Sequence, residues 1–207
     1  MANPLRSHAD GDPGAFDTLV LGIGNVLWAD EGFGVRAVEL LNARYTLPPQ
    51  VRVMDGGTQG IFLLPWIRSA LRLLIFDAVD FGLPPATLQL VRDHDVPRFM
   101  GVKKMSMHQA GFQEVLSTAE LTGDLPETIA LIGVQPALLD DYGGSLTNGV
   151  RAQVEPAVKL ALDVLAGWQI DVSPKQATAS ATEPVGPAAL DIHDYEAGRP
   201  VITGGAR

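Results

Sequence analysis

Apolar residues in the first 170 positions come in short runs, broken by glycines, prolines and acids. Thr18–Gly24 (TLVLGIG) ends in glycines and reads as a buried strand. Asp30-Glu31 follows, and then Phe33, Val35, Val38, Leu41 and Tyr45 recur at helical spacing. An acidic pair suits the start of such a helix. Val51–Met54 predicts a second strand, stopped by Asp55-Gly56-Gly57, and Thr58 is placed to cap a helix over Gln59–Arg68. Leu71–Val79 (LRLLIFDAV) is a third and strongly apolar strand. Thr87–Val91 predicts a fourth strand, Ala110–Thr118 a helix and Thr128–Val134 (TIALIGV) a fifth strand. Val150, Val154, Val158, Ala161 and Leu165 share one face of a last helix.

Strands alternating with helices predict a largely parallel sheet covered on both faces. Only a short loop precedes Thr87–Val91, so that strand is expected to pair antiparallel and make the sheet mixed. No internal repeat is visible. Beyond Ile170 the pattern stops: Asp171–Arg207 holds four prolines, four glycines, five acids, three bases and neither Phe nor Trp. Such a segment buries too little apolar surface to offset its ordering entropy. The chain therefore divides into a flexible segment at 1–16, one α/β domain at 17–170 and a tail expected to be disordered at 171–207. Within the tail, Ala189–Tyr195 is a patch able to fold on a partner.

Composition narrows the function. The 207 residues contain no cysteine, which removes disulfides, thiolate metal sites, Fe–S clusters and thiol nucleophiles together. The formal net charge of −9 repels nucleic acid and anionic lipid. Uncharged stretches such as Thr18–Ala29 fall well short of the roughly 20 apolar residues of a spanning helix. The polar opening, Met1 to Asp17, has no signal-peptide core. The expectation is a cytoplasmic protein with no membrane or nucleic-acid partner.

Parallel α/β sheets place sites at the carboxyl ends of their strands. Asn25, Asp30 and Glu31 follow the first strand, and Asp55 the second. Asp77 ends the third, with Asp80 just beyond. Ser106, His108 and Gln109 precede the helix at Ala110, while Gln135 and Pro136 follow the fifth strand. Glu31, Asp55, Asp77 and His108 are thus expected on one rim. Carboxylates with one imidazole suit zinc, nickel or a similar divalent ion, with positions left open. Each residue also has a structural explanation: Glu31 at a helix start, Asp77 accepting strand-end N–H groups, His108 on the surface. His8 and His193 lie in the termini, and His94, between Asp93 and Asp95, is expected to be solvated.

Other chemistries fit poorly. Gly22-Ile23-Gly24 lacks the third glycine of a dinucleotide fingerprint, because position 27 is Leu27. No G-x-S-x-G elbow or H-E-x-x-H helix occurs. Asp55-Gly56-Gly57-Thr58 is in the wrong order for the signature of pepsin-like proteases, and the surrounding pattern is not all-β.

Taken together, five blocks resemble the hydrogenase maturation endopeptidases. They are Leu21–Asn25 with Asp30–Arg36, Asp55–Thr58, Asp77–Val79, Ser106–Gln109 and Ile132–Pro136, in that family's order, over about Leu19 to Leu165. The resemblance implies a three-layer α/β/α fold around a twisted, mixed five-stranded sheet. It implies an endopeptidase, conventionally grouped with aspartic-type enzymes, that removes the short C-terminal extension of a nickel-iron hydrogenase large-subunit precursor after nickel insertion. It carries Glu31, Asp77 and His108 over as metal-contacting positions and Asp55 as a functional aspartate. The nickel would come with the substrate, and no organic cofactor is implied. Asp55 or Asp77 would act as general base, and Asp55 is preferred because a metal-bound carboxylate is the weaker base.

Two other readings share these motifs. One is a non-catalytic chaperone that grips the same precursor. The other is a peptidase or amidase with its own zinc and a different substrate.

Overall fold

The computed structural model describes residues 16–96, 107–175, 185, 186, 192 and 195, with only the backbone at 107–110. In chain order the elements are β1 (Thr18–Ile23), α1 (Phe33–Arg44), β2 (Tyr45–Thr46), β3 (Val51–Gly57), α2 (Leu64–Ser69), β4 (Arg72–Ala78) and β5 (Leu88–Arg92). They continue with α3 (Met107–Thr122), β6 (Thr128–Val134), α4 (Asn148–Arg151), α5 (Val154–Gly167) and β7 (Ser173–Pro174). Five strands form one sheet in the order β3-β1-β4-β6-β5. β1 pairs parallel with β3 and β4, β4 pairs parallel with β6, and only β5 runs antiparallel, beside β6.

Strand alternation assigns the two faces. Val20, Leu74, Phe76, Ala130 and Ile132 pack against α1 and α5. Leu19, Leu21, Leu73, Ile75, Ile129 and Leu131 pack against α2 and α3. The fold is therefore the expected α/β/α sandwich, and both faces of β1, β4 and β6 are buried. That is why these strands read as continuous apolar runs instead of an alternating pattern. Among the described residues no helix is long and apolar enough to cross a membrane.

Several boundaries differ from the sequence reading. α1 stops at Arg44, and Tyr45 turns to extended backbone (φ −128°, ψ 145°) to pair with Pro174. The segment after Thr58 forms a 3-10 turn over Gly60–Leu63 before α2, with no side-chain cap. The last helix is broken into α4 and α5. Pro156 explains the break: it has no N–H to continue a helix from the preceding turn, but it is tolerated in the first turn of a new one.

Ser173–Pro174 lie in the segment expected to be disordered, yet they pair antiparallel with Tyr45–Thr46. The Lys175 N–H donates to Arg44 O at 2.8 Å, and its ammonium donates to Asn42 O. Composition averaged over the whole tail hides this short pairing. The segment at 1–15 and most of the tail, including His193, lie outside the described residues, as does His8.

Candidate functional site

The carboxyl ends of β1, β3 and β4 meet at one rim of the sheet. Asp77 occupies the end of β4 and is fully buried, and its Oδ1 accepts the Ala78 N–H at 2.8 Å. By alternation it falls on the same side as Leu73 and Ile75, the face covered by α2 and α3. His108 lies in the first turn of α3. Its side chain, that of Gln109 and the whole of Ser106 lie outside the described residues.

Glu31 reaches the rim through a 3-10 turn, Ala29–Gly32, that lies against β4. Two glycines permit this. Gly24 has φ +135°, and a Cβ there would overlap the Glu31 carbonyl. Gly34 sits between the carbonyls of Phe76 and Ile23, with no room for a Cβ. The start of α1 thereby rests directly on the ends of β1 and β4, and Glu31 is left only 8% exposed beside the buried Asp77 strand end.

Asp30 performs a different task. Its Oδ2 accepts the Ala137 and Leu138 N–H groups at 2.8 and 3.0 Å and the Thr147 hydroxyl at 3.1 Å. Its Oδ1 accepts the Thr147 N–H at 2.7 Å. The carboxylate thus holds the loop between β6 and α4. Gln135 holds another loop: its Oε1 accepts the N–H groups of Phe81 and Leu83 at 2.8 and 3.1 Å, and its Nε2 donates to Asp80 Oδ1 at 3.1 Å. Asn25 closes a local turn by accepting the Leu27 N–H at 3.0 Å. His94 is 77% exposed, as expected of a solvated loop.

Asp55 stands at the same rim but on the other side of the sheet. It pairs in register with Gly22, and a bulge at Gly56 shifts the next pairing to Ile23 with Gly57. The Gly24 N–H donates to Gly57 O at 3.1 Å, tying the loop after β1 to the Asp55 turn. Asp55 shares the face of Val51 and Val53, which pack with the α1 and α5 layer. Its Oδ1 is buried and, among the described residues, lacks a well-aligned hydrogen-bond donor. Burial pushes the carboxyl above its ordinary value, against smaller opposing effects of the Gly57 amide and Arg36.

Arg36 is the residue that motif reasoning left without a role. It lies on α1, 5% exposed, and donates to Glu39 Oε2 at 2.9 Å. An arginine inside the apolar run Phe33–Val38 was the available signal, because a buried guanidinium requires acceptors.

Chemically, the rim supplies two buried carboxylates, Glu31 and Asp77, with the helix of His108 on the Asp77 face. Among the described residues no group of three His, Asp or Glu side chains gathers as a metal site. Two hard oxygen donors make an incomplete set that suits a divalent cation bringing further ligands of its own. Asp55, whose carboxyl is pushed above its ordinary value by burial, is suited to exchange a proton.

Comparisons with known proteins agree with this geometry. The family profile described as hydrogenase maturation protease matches residues 35–164. The chain is 57% identical over 182 residues to the hydrogenase expression/formation protein HupM of Azotobacter chroococcum mcd 1, covering 88% of this chain and 86% of that protein. It resembles the solved structure of the hydrogenase maturating endopeptidase HybD from Escherichia coli with a TM-score of 0.73 and 39% identity, over 77% of this chain and 98% of that one. It also resembles the NiFe hydrogenase maturation protease HybD from Thermococcus kodakarensis, with a TM-score of 0.59 and 25% identity, over 72% and 99% of the two chains.

Proposed function

The chain belongs to the hydrogenase maturation protease family, and from that premise we propose that it removes the short C-terminal extension of a nickel-iron hydrogenase large-subunit precursor after nickel insertion. The nickel is part of the substrate, and Glu31, Asp77 and His108 dock on it. The observation that carries this reading is the placement of Glu31: a glycine-packed turn delivers a buried carboxylate next to the strand end that carries a second one, Asp77.

Two carboxylates brought to one rim attract positive charge, so the site favours a substrate that brings a cation. A precursor lacking nickel forfeits that interaction, which gives the protease a test of whether metal insertion is complete. Docking on the metal also holds the scissile peptide in place, converting a bimolecular encounter into an oriented one. Asp55 and Asp77 lie two strand spacings apart, about 10 Å in backbone. The two side chains face opposite layers, so a peptide anchored near Asp77 reaches Asp55 by passing over the rim of the sheet, a path of more than about three extended residues. Asp55 then acts as general base toward the attacking water, because coordination to nickel makes Asp77 the weaker base. This is carboxylate chemistry of an aspartic type, on a fold unlike that of two-lobed aspartic proteases. A cytoplasmic location belongs to the same proposal, since the substrate is an immature precursor.

The test is the intact mass of a nickel-loaded cognate precursor after incubation with the protein, beside metal-free precursor and the His108→Ala variant. Loss of a short C-terminal peptide only with nickel and wild-type protein is the expected result. Cleavage independent of nickel removes the docking mechanism, and binding without cleavage leaves a chaperone.

A further inference from the structure

The groove beside β3 is walled in part by the chain's own C-terminal segment. β3 is an edge strand of the sheet, paired with β1 alone among the described strands. A groove of about 680 Å³ runs along it, bounded by Tyr45, Leu47, Val53, Asp55, Lys175 and Val185. Val185 packs against the same apolar cluster as Val51 and Val53. Its neighbour Gly186 lies against the carboxylate: a Cβ there would stand 2.9 Å from Asp55 Oδ2, closer than real Cβ atoms approach. Further along, the Tyr195 ring lies 5.9 Å from the Arg36 guanidinium, the buried charge that acts on Asp55. Both residues fall beyond the 35–164 span that matches the family.

We propose that this groove is a binding site for an extended peptide, and that the Val185–Gly186 segment closes its Asp55 end in the resting protein, covering Asp55 until a precursor peptide displaces it. The groove is mixed: Tyr45, Leu47, Val51 and Val53 give an apolar wall that suits Val185, while Asn42, Arg52, Gln59 and Lys175 offer polar partners to a peptide backbone. Glycine at 186 lets the chain pass close to the Asp55 carboxylate. Edge strands take extended peptides readily, since one row of their backbone groups is unpaired, and a segment seated there also guards the edge. β7 anchors the segment at its near end, so its effective concentration at the groove is high and its occupancy needs little intrinsic affinity. The seating of the segment stands on contacts alone. Only its competition with a precursor rests on the proteolytic reading.

The test uses the full chain with Gly186→Val, which crowds the Asp55 carboxylate, and Val185→Asp, which loses its apolar seat. Neither position lies in the sheet or its covering helices, so both variants are expected to fold. Hydrogen–deuterium exchange over residues 51–57 is expected to rise in both. If the segment is seated about nine-tenths of the time, KM for nickel-loaded precursor falls by up to about tenfold, with kcat unchanged. Unchanged exchange over 51–57 in both variants overturns the proposal. Raised exchange without cleavage by any form of the protein upholds the seating and overturns the proteolytic reading instead.

Discussion

Asp55 and Asp77 flank β1 at the same rim and face opposite layers of the sandwich. The sequence reading placed them together with Glu31 and His108 on one rim. The rim is shared, but the sheet lies between the two carboxylates. Asp77 faces the layer of α3, where His108 lies, whereas Asp55 faces the layer of Arg36. A division of labour follows, and with it a division of phenotypes. Asp77→Asn keeps an acceptor for the Ala78 N–H but loses the charge that the proposed docking uses to attract nickel. It is expected to raise KM by at least about 10–100-fold, the range for losing a partner that only supports a metal ligand. Asp55→Asn is expected to bind nickel-loaded precursor normally and to lose turnover. Binding assays beside single-turnover cleavage separate the two, and equal loss of binding in both variants would sink the division.

Asp55 also predicts a pH dependence. Its folded carboxyl titrates above the unfolded value of 3.8, chiefly because burial disfavours the charge. Between 3.8 and the raised value the native state holds the proton more tightly than the unfolded chain, so this group's contribution to stability falls as pH rises through that window. Asp55→Asn removes the cost of the buried charge. The variant is expected to be more stable than wild type at neutral pH, with the gain vanishing below about 3.8. Urea midpoints at pH 7 and in mild acid check the sign. A carboxylate that destabilises its own fold when ionised fits the base proposed for Asp55, since active sites commonly trade stability for function.

Asp30 predicts the opposite balance. Its carboxylate serves three N–H or O–H donors on one oxygen and a fourth on the other, all in the loop that follows β6 or at its end. Asp30→Ala leaves those donors without their acceptor. A buried donor left unsatisfied costs roughly 1–3 kcal/mol, so the whole site is expected to lose at least about 2–3 kcal/mol. Thermal melting checks this, and Glu31→Gln is the control: it alters the neighbouring acid, and the proposal predicts lost cleavage with little change in melting.

These two neighbours also show what a sequence discloses. β1, β4 and β6 were legible because strands buried on both faces are written as unbroken apolar runs. The antiparallel β5 was legible because its connection is too short for a crossover. The site residues were legible only as candidates at strand ends. Asp30 and Glu31 look alike in sequence, and nothing local tells the loop clamp from the rim carboxylate. The partners of Asp30 lie 107 to 117 residues further along the chain. Gln135 likewise reaches back 54 residues to Phe81. The opposed faces of Asp55 and Asp77 were hidden too, because they depend on register between strands and not on the order of motifs. Composition misjudged Ser173–Pro174 for the converse reason: two residues of pairing carry no compositional signal.

The last prediction concerns the contact that places Glu31. Gly34 lies in the first turn of α1, where alanine would ordinarily gain about 1 kcal/mol in helix propensity. At this position a Cβ would overlap the carbonyl oxygens of Phe76 and Ile23, both in the sheet. Backbone cannot rotate away as a side chain can, so the helix must move instead. Overpacking of this kind costs roughly 1–3 kcal/mol or more, which outweighs the propensity gain. Gly34→Ala is therefore expected to lower stability and to lift the start of α1 off β1 and β4. Glu31, two residues before the helix, moves with it. Cleavage should fall further than the loss of folded protein explains, whereas Gly167→Ala, at an end of α5 where a Cβ meets nothing, should leave activity unchanged. A Gly34→Ala protein as stable and as active as wild type would show that the rim does not depend on this close approach.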